Sequence, residues 1–257
     1  MRSAYLDHPL PLLMAHRGFS ERGLENSMAA FQAAVDLGVS HLETDVHATA
    51  DARLVAFHDR VLDRVTDGSG TVSELGWDVV RTARIGGTEP VPLLEDLIGT
   101  WPQVRLNIDV KAAGAISPLV DVLNRTRCWD RVCIASFSDT RRRAVQQRMP
   151  AGVACSPGLG TVAAFWAMTR GRASLAALRR LTQDVVCLQV PERYLGLWVV
   201  DQRFVDDAHR AGLQVHVWTV NDPLAMGRLL DLGVDGLITD RVDAALDVLR
   251  GRGLRGP

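Results

Sequence analysis

Two segments of the chain carry charged residues at alternate positions. Glu43 and Asp45 are separated by one residue, and Asp109 and Lys111 repeat this spacing. Side chains alternate between the two faces of a β-strand, so each pair lies on one face if its segment is a strand. Carboxylates this close repel unless a proton or a cation compensates them. Glu43, Asp45 and Asp109 are hard oxygen ligands and predict one divalent metal, Mg²⁺ or Ca²⁺. A salt-bridge network with Arg17 and Lys111 explains them equally well.

Two histidines follow other apolar segments at the point where each should end. His16 comes after Leu-Leu-Met-Ala, and His58 comes after Leu-Val-Ala-Phe. A lone histidine there is usually structural, but two imidazoles beside acids and cations can divide the acid and base roles. We therefore predict that His16 and His58 are catalytic and that Arg17 and Lys111 bind an oxyanion such as phosphate. Trp218 ends a further apolar run and is predicted to contact substrate, with core packing as the alternative.

The elements that position these residues follow from the pattern of apolar residues. Short β-branched runs alternate with segments of helical period, which is typical of repeated βα units and a parallel sheet. The predicted strands are Leu12–His16, His41–Val46, Arg105–Val110, Val132–Phe137, Gly152–Cys155, Val185–Val190, Gln214–Thr219 and Val234–Thr239. The predicted helices include Glu25–Leu37, Pro118–Thr126, Asp139–Arg148, Asp201–Ala211 and Pro223–Leu232. Eight strands with crossover helices predict a (β/α)8 TIM barrel, whose strands all end at one mouth. An open Rossmann-type sheet is the less favoured alternative.

Three segments do not fit a minimal barrel. Residues 47–103 are too long for one crossover and predict a small insertion over the mouth, within a single domain spanning residues 1–257. Residues 158–180 contain Phe165 and Trp166 and predict an outer helix, or alternatively a lid or interfacial patch. The run Arg141-Arg142-Arg143 is interpreted as the solvated face of a helix.

Composition excludes several classes of protein. With 257 residues, 47% hydrophobic and 23% charged, the chain is neither disordered nor collagen-like. A net charge of −1 gives no general nucleic-acid footprint, and no apolar run has the length of a membrane span. The four scattered cysteines are expected to be small buried residues, which favours the cytoplasm. Lys111 is the single lysine among 29 basic residues, which suggests a need for its compact ammonium group.

An ordered series of short segments resembles the glycerophosphodiester phosphodiesterase family. In chain order they are His16-Arg17-Gly18, Glu25-Asn26, Glu43-Thr44-Asp45-Val46, His58-Asp59, Asn107-Ile108-Asp109-Val110-Lys111, Ser136-Phe137, Trp218-Thr219-Val220-Asn221 and Asp235-Gly236-Leu237-Ile238-Thr239-Asp240. The resemblance extends from the first predicted strand to the last. It implies a TIM barrel with an insertion after the second strand, a divalent metal, and hydrolysis of a small glycerophosphodiester to glycerol 3-phosphate and an alcohol.

The resemblance also implies a role for each site residue. His16 and His58 match the family's acid and base, Glu43 and Asp45 match metal ligands, and the remaining matches are the phosphate contacts Arg17 and Lys111. Asp109 stands where the family usually has Glu, a side chain one methylene longer, so the metal is expected to sit differently or to be another ion.

Two alternatives remain for the function. One is a phospholipase D-like enzyme acting on lysophospholipids or sphingolipids. The other is an inactive barrel that only binds phosphate, against which the two intact histidines argue. The sequence leaves open the head-group alcohol, the oligomeric state, and whether water or a neighbouring substrate hydroxyl attacks first.

Overall fold

The computed structural model describes residues 3–20 and 23–254. Its strands, in chain order, are β1 Leu12–His16, β2 His41–Ala48, β3 Leu54–Ala56, β4 Arg84–Ile85, β5 Glu89–Pro90, β6 Arg105–Val110, β7 Val132–Ala135, β8 Ala154–Cys155, β9 Cys187–Pro191, β10 Arg193–Tyr194, β11 Leu197–Trp198, β12 Gln214–Trp218 and β13 Gly236–Thr239. Its α-helices are α1 Met28–Asp36, α2 Trp77–Val80, α3 Leu94–Thr100, α4 Ile116–Thr126, α5 Asp139–Gln146, α6 Leu159–Arg170, α7 Leu175–Leu181, α8 Gln202–Ala211, α9 Pro223–Asp231 and α10 Val242–Gly251.

Eight parallel strands form the predicted barrel. Their order is β8-β7-β6-β2-β1-β13-β12-β9. The two outer strands of this order are joined where the Val186 N–H donates to the Cys155 carbonyl at 3.0 Å. In the register of β2 and β6, Asp45 lies opposite Asp109. Because all eight strands run in one direction, their carboxyl ends meet at one mouth.

The crossover helices bury one face against the barrel, as α8 illustrates. The Asp201 side chain accepts from the Phe204 N–H at the start of the helix, and Phe204, Val205 and Ala208 are buried. The helix ends at Gly212, whose φ of 89° lies in the left-handed region. Capping at both ends and an apolar stripe at helical spacing explain why this segment forms a helix and which side faces inward.

The insertion after β2 is a small unit with its own apolar cluster. Strand β3 pairs antiparallel with the end of β2. Its buried cluster consists of Val55, Phe57, Leu62, Val72, Val80, Ala83, Ile85, Val91 and Leu93. The insertion spans residues 49–93, which is narrower than the expected 47–103. The difference arises because β2 continues to Ala48 and because Leu94 and Leu97 of α3 pack in the barrel core.

Residues 158–180 form two outer helices. Phe165 of α6 is fully buried, and its ring centre lies 5.4 Å from that of Phe204. Phe165 belongs to the core, so the outer helix expected from the sequence is present, in two parts. None of the helices among the described residues combines the length and the apolar composition of a membrane-spanning segment.

The arginine run on α5 is not a solvated face. Arg142 is 0% exposed and its Nη1 donates to Asp184 Oδ2 at 2.8 Å and to Gln146 Oε1 at 2.5 Å. The interpretation from the sequence was wrong because a helix surface has one inward stripe, and the middle residue of the run falls on it. All four cysteines are free and buried, as expected.

Candidate active site

The carboxyl ends of the barrel strands enclose a cavity of about 240 Å³. All eight residues singled out in the sequence line it, namely His16, Arg17, Glu43, Asp45, His58, Asp109, Lys111 and Trp218. They come from four barrel strands, β1, β2, β6 and β12, or the loops that directly follow them, and from the loop after β3. The convergence expected of a TIM barrel is therefore present, although the residues span two hundred positions of the chain.

The acidic cluster is held by two cations. Glu43, Asp45 and Asp109 are 6%, 1% and 7% exposed. Lys111 Nζ lies 2.7 Å from Asp45 Oδ1 and 2.7 Å from Asp109 Oδ2. Arg17 Nε lies 3.1 Å from Asp45 Oδ2. The salt-bridge network considered from the sequence thus exists around Asp45, where these cations oppose the effect of burial and lower its pKa.

Two features of the same cluster fit a further cation. Asp109 Oδ1 is buried, and no described residue forms a hydrogen bond with it. Burial, together with the Asp45 charge, raises the pKa of Glu43 to about 8. Negative charge is therefore in excess where hard oxygen ligands are available, which is the environment that Mg²⁺ or Ca²⁺ selects. Among the described residues, no three His, Cys, Asp or Glu side chains are already arranged around a common metal position.

His16 stands at the end of β1 with each ring nitrogen near a carboxylate. Its Nδ1 forms a hydrogen bond of 2.6 Å with Asp240 Oδ1, and its Nε2 lies 3.9 Å from Glu43 Oε2. An ionised carboxylate only accepts, so Nδ1 carries the proton. Burial alone lowers the pKa of His16, but Glu43 and Asp240 outweigh it and the pKa is raised. Asn221 Nδ2 donates to the other oxygen of Asp240 at 2.7 Å and fixes this carboxylate.

His58 is anchored in the same way from the insertion. Its Nδ1 lies 2.5 Å from Asp59 Oδ1, and Arg64 Nε donates to Asp59 Oδ2 at 2.5 Å. The hydrogen bond from Arg64 is the main reason that the pKa of Asp59 falls to about 2. His47 Nε2 lies 3.1 Å from the main-chain oxygen of His58 and ties the loop to β2. Both imidazoles are therefore oriented through Nδ1, which leaves Nε2 for the cavity.

The sequence reasoning missed the residues that orient the site. Asp59 and Asp240 anchor the two histidines, and Glu25 accepts from Arg17 Nη1 at 2.9 Å and from Arg64 Nη2 at 2.6 Å. Asp59 had a signal, because it directly follows His58. Asp240 belongs to the last motif of the series that resembles the family, but no local pattern links it to His16, because the two lie 224 positions apart.

The opposite wall of the cavity is apolar. Phe137 and Trp218 meet edge to face with ring centres 5.5 Å apart, and Leu159, Val162 and Pro191 complete the wall. The N-terminus of α6 therefore contributes apolar side chains to the cavity. Trp218 lines the cavity, where a substrate contact remains a prediction.

The fold and the geometry together define a TIM barrel with two carboxylate-anchored histidines beside a charged cluster at its mouth. The model of the glycerophosphoryl diester phosphodiesterase family matches residues 16–244. A Mycobacterium tuberculosis (strain H37Rv) protein named "Probable glycerophosphodiester phosphodiesterase 2" is 45% identical over 250 residues, which cover 97% of this chain and 94% of that protein. This chain belongs to the glycerophosphoryl diester phosphodiesterase family and is a phosphoric diester hydrolase.

Solved structures support the fold. An Oleispira antarctica phosphodiesterase in complex with the product sn-glycerol-3-phosphate has a TM-score of 0.78 at 24% identity, covering 97% of this chain and 100% of the other. A glycerophosphodiester phosphodiesterase from Agrobacterium tumefaciens has a TM-score of 0.74 at 21% identity, covering 93% and 100%. The resemblance and the TIM barrel expected from the sequence are confirmed.

Proposed function

We propose that this enzyme hydrolyses glycerophosphodiesters to glycerol 3-phosphate and an alcohol, with His16 and His58 as the acid–base pair and with one divalent metal. The observation that carries the proposal is the matched anchoring of the two imidazoles, each bonded through Nδ1 to a carboxylate and both lining one cavity. The product bound to the Oleispira antarctica relative supports glycerol 3-phosphate as the product here.

Glu43, Asp45 and Asp109 would hold the metal. The free oxygen of Asp109 and the raised pKa of Glu43 are the features of this chain that favour it. When bound, Mg²⁺ or Ca²⁺ supplies a Lewis acid that withdraws charge from a phosphate oxygen. Because Asp109 is shorter than the Glu usual in the family, we expect a weaker or differently selective site.

The chain's own groups account for the proton transfers. Arg17 and Lys111 hold the anionic phosphate and stabilise the charge that builds up on it. Nε2 of one histidine accepts the proton of the attacking hydroxyl as its oxygen bonds to phosphorus. As the bond from phosphorus to the alcohol oxygen breaks, Nε2 of the other histidine donates a proton to that oxygen. The attacking hydroxyl belongs to water, or first to the neighbouring glycerol carbon with a cyclic phosphate as intermediate.

A single assay tests substrate class and metal together. Glycerophosphocholine, glycerophosphoethanolamine and glycerophosphoglycerol are incubated with enzyme, with and without a chelator, and glycerol 3-phosphate is measured. We expect turnover that the chelator abolishes and that Mg²⁺ or Ca²⁺ restores. Full activity in the presence of chelator would contradict the metal requirement and leave the substrate class intact. The absence of product from all three diesters would contradict the substrate class.

Lysophospholipids are a second candidate substrate class, together with sphingolipids. The apolar wall of Phe137, Leu159 and Trp218 favours a substrate with an apolar portion, such as the acyl chain on the glycerol of a lysophospholipid, over a fully polar one. Adding a lysophospholipid to the same assay separates the two classes through the ratio of their kcat/KM values. A ratio that favours the lysophospholipid would make this the principal activity.

The cytoplasm is the location we propose. The four cysteines are buried and unpaired, which suits a reducing compartment. Measurement of the reporter-tagged protein in cell fractions tests this proposal.

A further inference from the structure

Large apolar side chains are exposed on the loops that follow four barrel strands. The strands are β7, β8, β9 and β12, which are neighbours around the barrel. We call this set the apolar rim, and it consists of Phe137, Leu159, Tyr194, Leu195, Leu197, Trp198 and Leu224. These are seven of the twelve large hydrophobic residues that are exposed in the described part of the chain. Clustered exposure of this kind marks an interaction surface, whereas scattered exposure does not.

The most exposed residue of the rim occupies an unfavourable backbone position. Strands β10 and β11 form a hairpin after β9, and Leu195 at its tip is 86% exposed. Leu195 has a φ of 48° and Gly196 has a φ of 81°. A two-residue turn with positive φ at both positions favours Asn-Gly, because a leucine has no compensating local hydrogen bond in the left-handed region. Solvent exposure and the backbone conformation of the turn therefore both disfavour leucine at this position. Its presence indicates a binding role.

Charge and aromatic residues at the base of the hairpin indicate what it binds. Trp198 is contacted by Arg193, whose Cζ lies 3.4 Å from a ring centre, and by Arg228 at 5.0 Å. Arg228 pairs with Glu192, whereas Arg193 forms no ion pair with a carboxylate of the described residues. A tryptophan, a tyrosine and an uncompensated arginine beside exposed leucines suit the boundary between lipid head groups and acyl chains.

We propose that the apolar rim docks reversibly on an anionic lipid bilayer. The hairpin tip with Leu195 and Leu197 enters the interface, and Arg193 contacts lipid phosphate. The docked face contains the mouth of the barrel, since the rim follows the carboxyl ends of the strands. The proposal goes beyond the proposed hydrolysis and does not depend on it, because binding to vesicles is measured without turnover.

The test uses Leu195→Asn with sedimentation of lipid vesicles. Vesicles of phosphatidylcholine alone are compared with vesicles that also contain phosphatidylglycerol. We expect the unmodified enzyme to bind the anionic vesicles, and Leu195→Asn to bind them on the order of tenfold more weakly. Because asparagine tolerates a positive φ, the melting temperature should stay equal or rise, so weaker binding cannot reflect unfolding. Hydrolysis of soluble glycerophosphocholine should not change.

Two further variants separate the contributions. Val79→Asn removes an apolar side chain that is 51% exposed on the insertion, and it should bind vesicles like the unmodified enzyme. Arg193→Gln should lose the preference for phosphatidylglycerol and the sensitivity of binding to salt.

Three results would overturn the proposal. The first is that the unmodified enzyme binds neither kind of vesicle. The second is that Leu195→Asn binds the anionic vesicles as tightly as the unmodified enzyme. The third is that light scattering shows a dimer that Leu195→Asn dissociates, because the rim would then be an interface between two copies of the chain.

Discussion

The two halves of the barrel mouth differ in what their loops carry. The half formed by β13, β1, β2 and β6, with the insertion, carries charged side chains that are tied to one another by short ion pairs. The half formed by β7, β8, β9 and β12 carries aromatic and aliphatic side chains, many of them exposed. A phosphodiester is divided in the same way: its phosphate is anionic, whereas its alcohol can be uncharged. We therefore expect the charged half to carry out the reaction and the apolar half to recognise the alcohol.

The charged half is also the more rigidly determined of the two. Arg17 connects Glu25 and Asp45, and Arg64 connects Glu25 and Asp59. These ion pairs orient the reacting groups before substrate arrives. The apolar half is held by packing, which is less directional, so substitutions there should alter binding more than chemistry.

The largest effect should come from the two histidines of the charged half. His16→Ala and His58→Ala each remove a proton-transfer group, so kcat on glycerophosphocholine should fall about 10²- to 10⁴-fold. The melting temperature should change little, since both side chains are partly exposed. His209→Ala is the matched control, because His209 also pairs with a carboxylate, Asp235, but lies outside the cavity. Near-normal turnover in either cavity variant would contradict the acid–base assignment.

Lys111 should show the next largest effect. Lys111→Met removes the ammonium group that lies 2.7 Å from both Asp45 and Asp109, so kcat/KM should fall about 10²-fold. Lys111→Arg should not restore activity, because the larger planar guanidinium does not fit the space that the compact ammonium group occupies between these two carboxylates. Steady-state kinetics of both variants provide the measurement, with the remote Arg148→Met as control. Full activity in Lys111→Arg would show that only the charge matters.

In the apolar half, Phe137→Ala should act mainly on binding. The loss of its edge-to-face contact with Trp218 costs about 1 kcal/mol, or roughly a fivefold rise in KM. The rise should be larger for a diester with an apolar alcohol than for glycerophosphoethanolamine, while kcat stays similar. An equal rise for both diesters would show that this half does not recognise the alcohol.

The smallest effect should be a pH-dependent one at the edge of the charged half. Arg64→Gln removes the main reason that the pKa of Asp59 lies at about 2 instead of 3.8. A lowered pKa in the folded state stabilises the protein above pH 3.8, and this contribution disappears as the pH falls through 2. Because Arg64 is half exposed, the free energy of unfolding should fall by less than about 1 kcal/mol at neutral pH.

Urea denaturation at neutral pH and near pH 2 measures this difference. Arg81→Gln, which breaks an exposed pair with Asp78, is the control and should be neutral at both pH values. A difference between Arg64→Gln and the unmodified enzyme that persists unchanged near pH 2 would contradict the role of Asp59.

Much of the fold could be predicted because local periodicity reports burial. All eight barrel strands lie where β-branched runs predicted them, with ends that differ by a few residues. The boundary of the insertion was less accurate, since an apolar segment such as Leu94–Thr100 has the same pattern whether it packs on the barrel or on an insertion. Which core a segment joins depends on contacts far away in the chain.

The candidate site divides in the same way. Strand period alone places Glu43 and Asp45 on one face, and the barrel places them beside Asp109. By contrast, the hydrogen bond between His16 and Asp240 depends on the pairing of β1 with β13. No local sequence pattern predicts this pairing.

By itself, the sequence determined the kinds of elements, the residues at their ends and, through an ordered series of short motifs, the family. Only the tertiary structure decided which carboxylate orients each histidine, which arginine of α5 is buried, and that the exposed apolar residues collect on one half of the mouth. The physical reason is the distance along the chain over which each interaction acts. Periodicity and capping act over a few residues, whereas ion pairs and shared surfaces form between positions that closure of the barrel brings together.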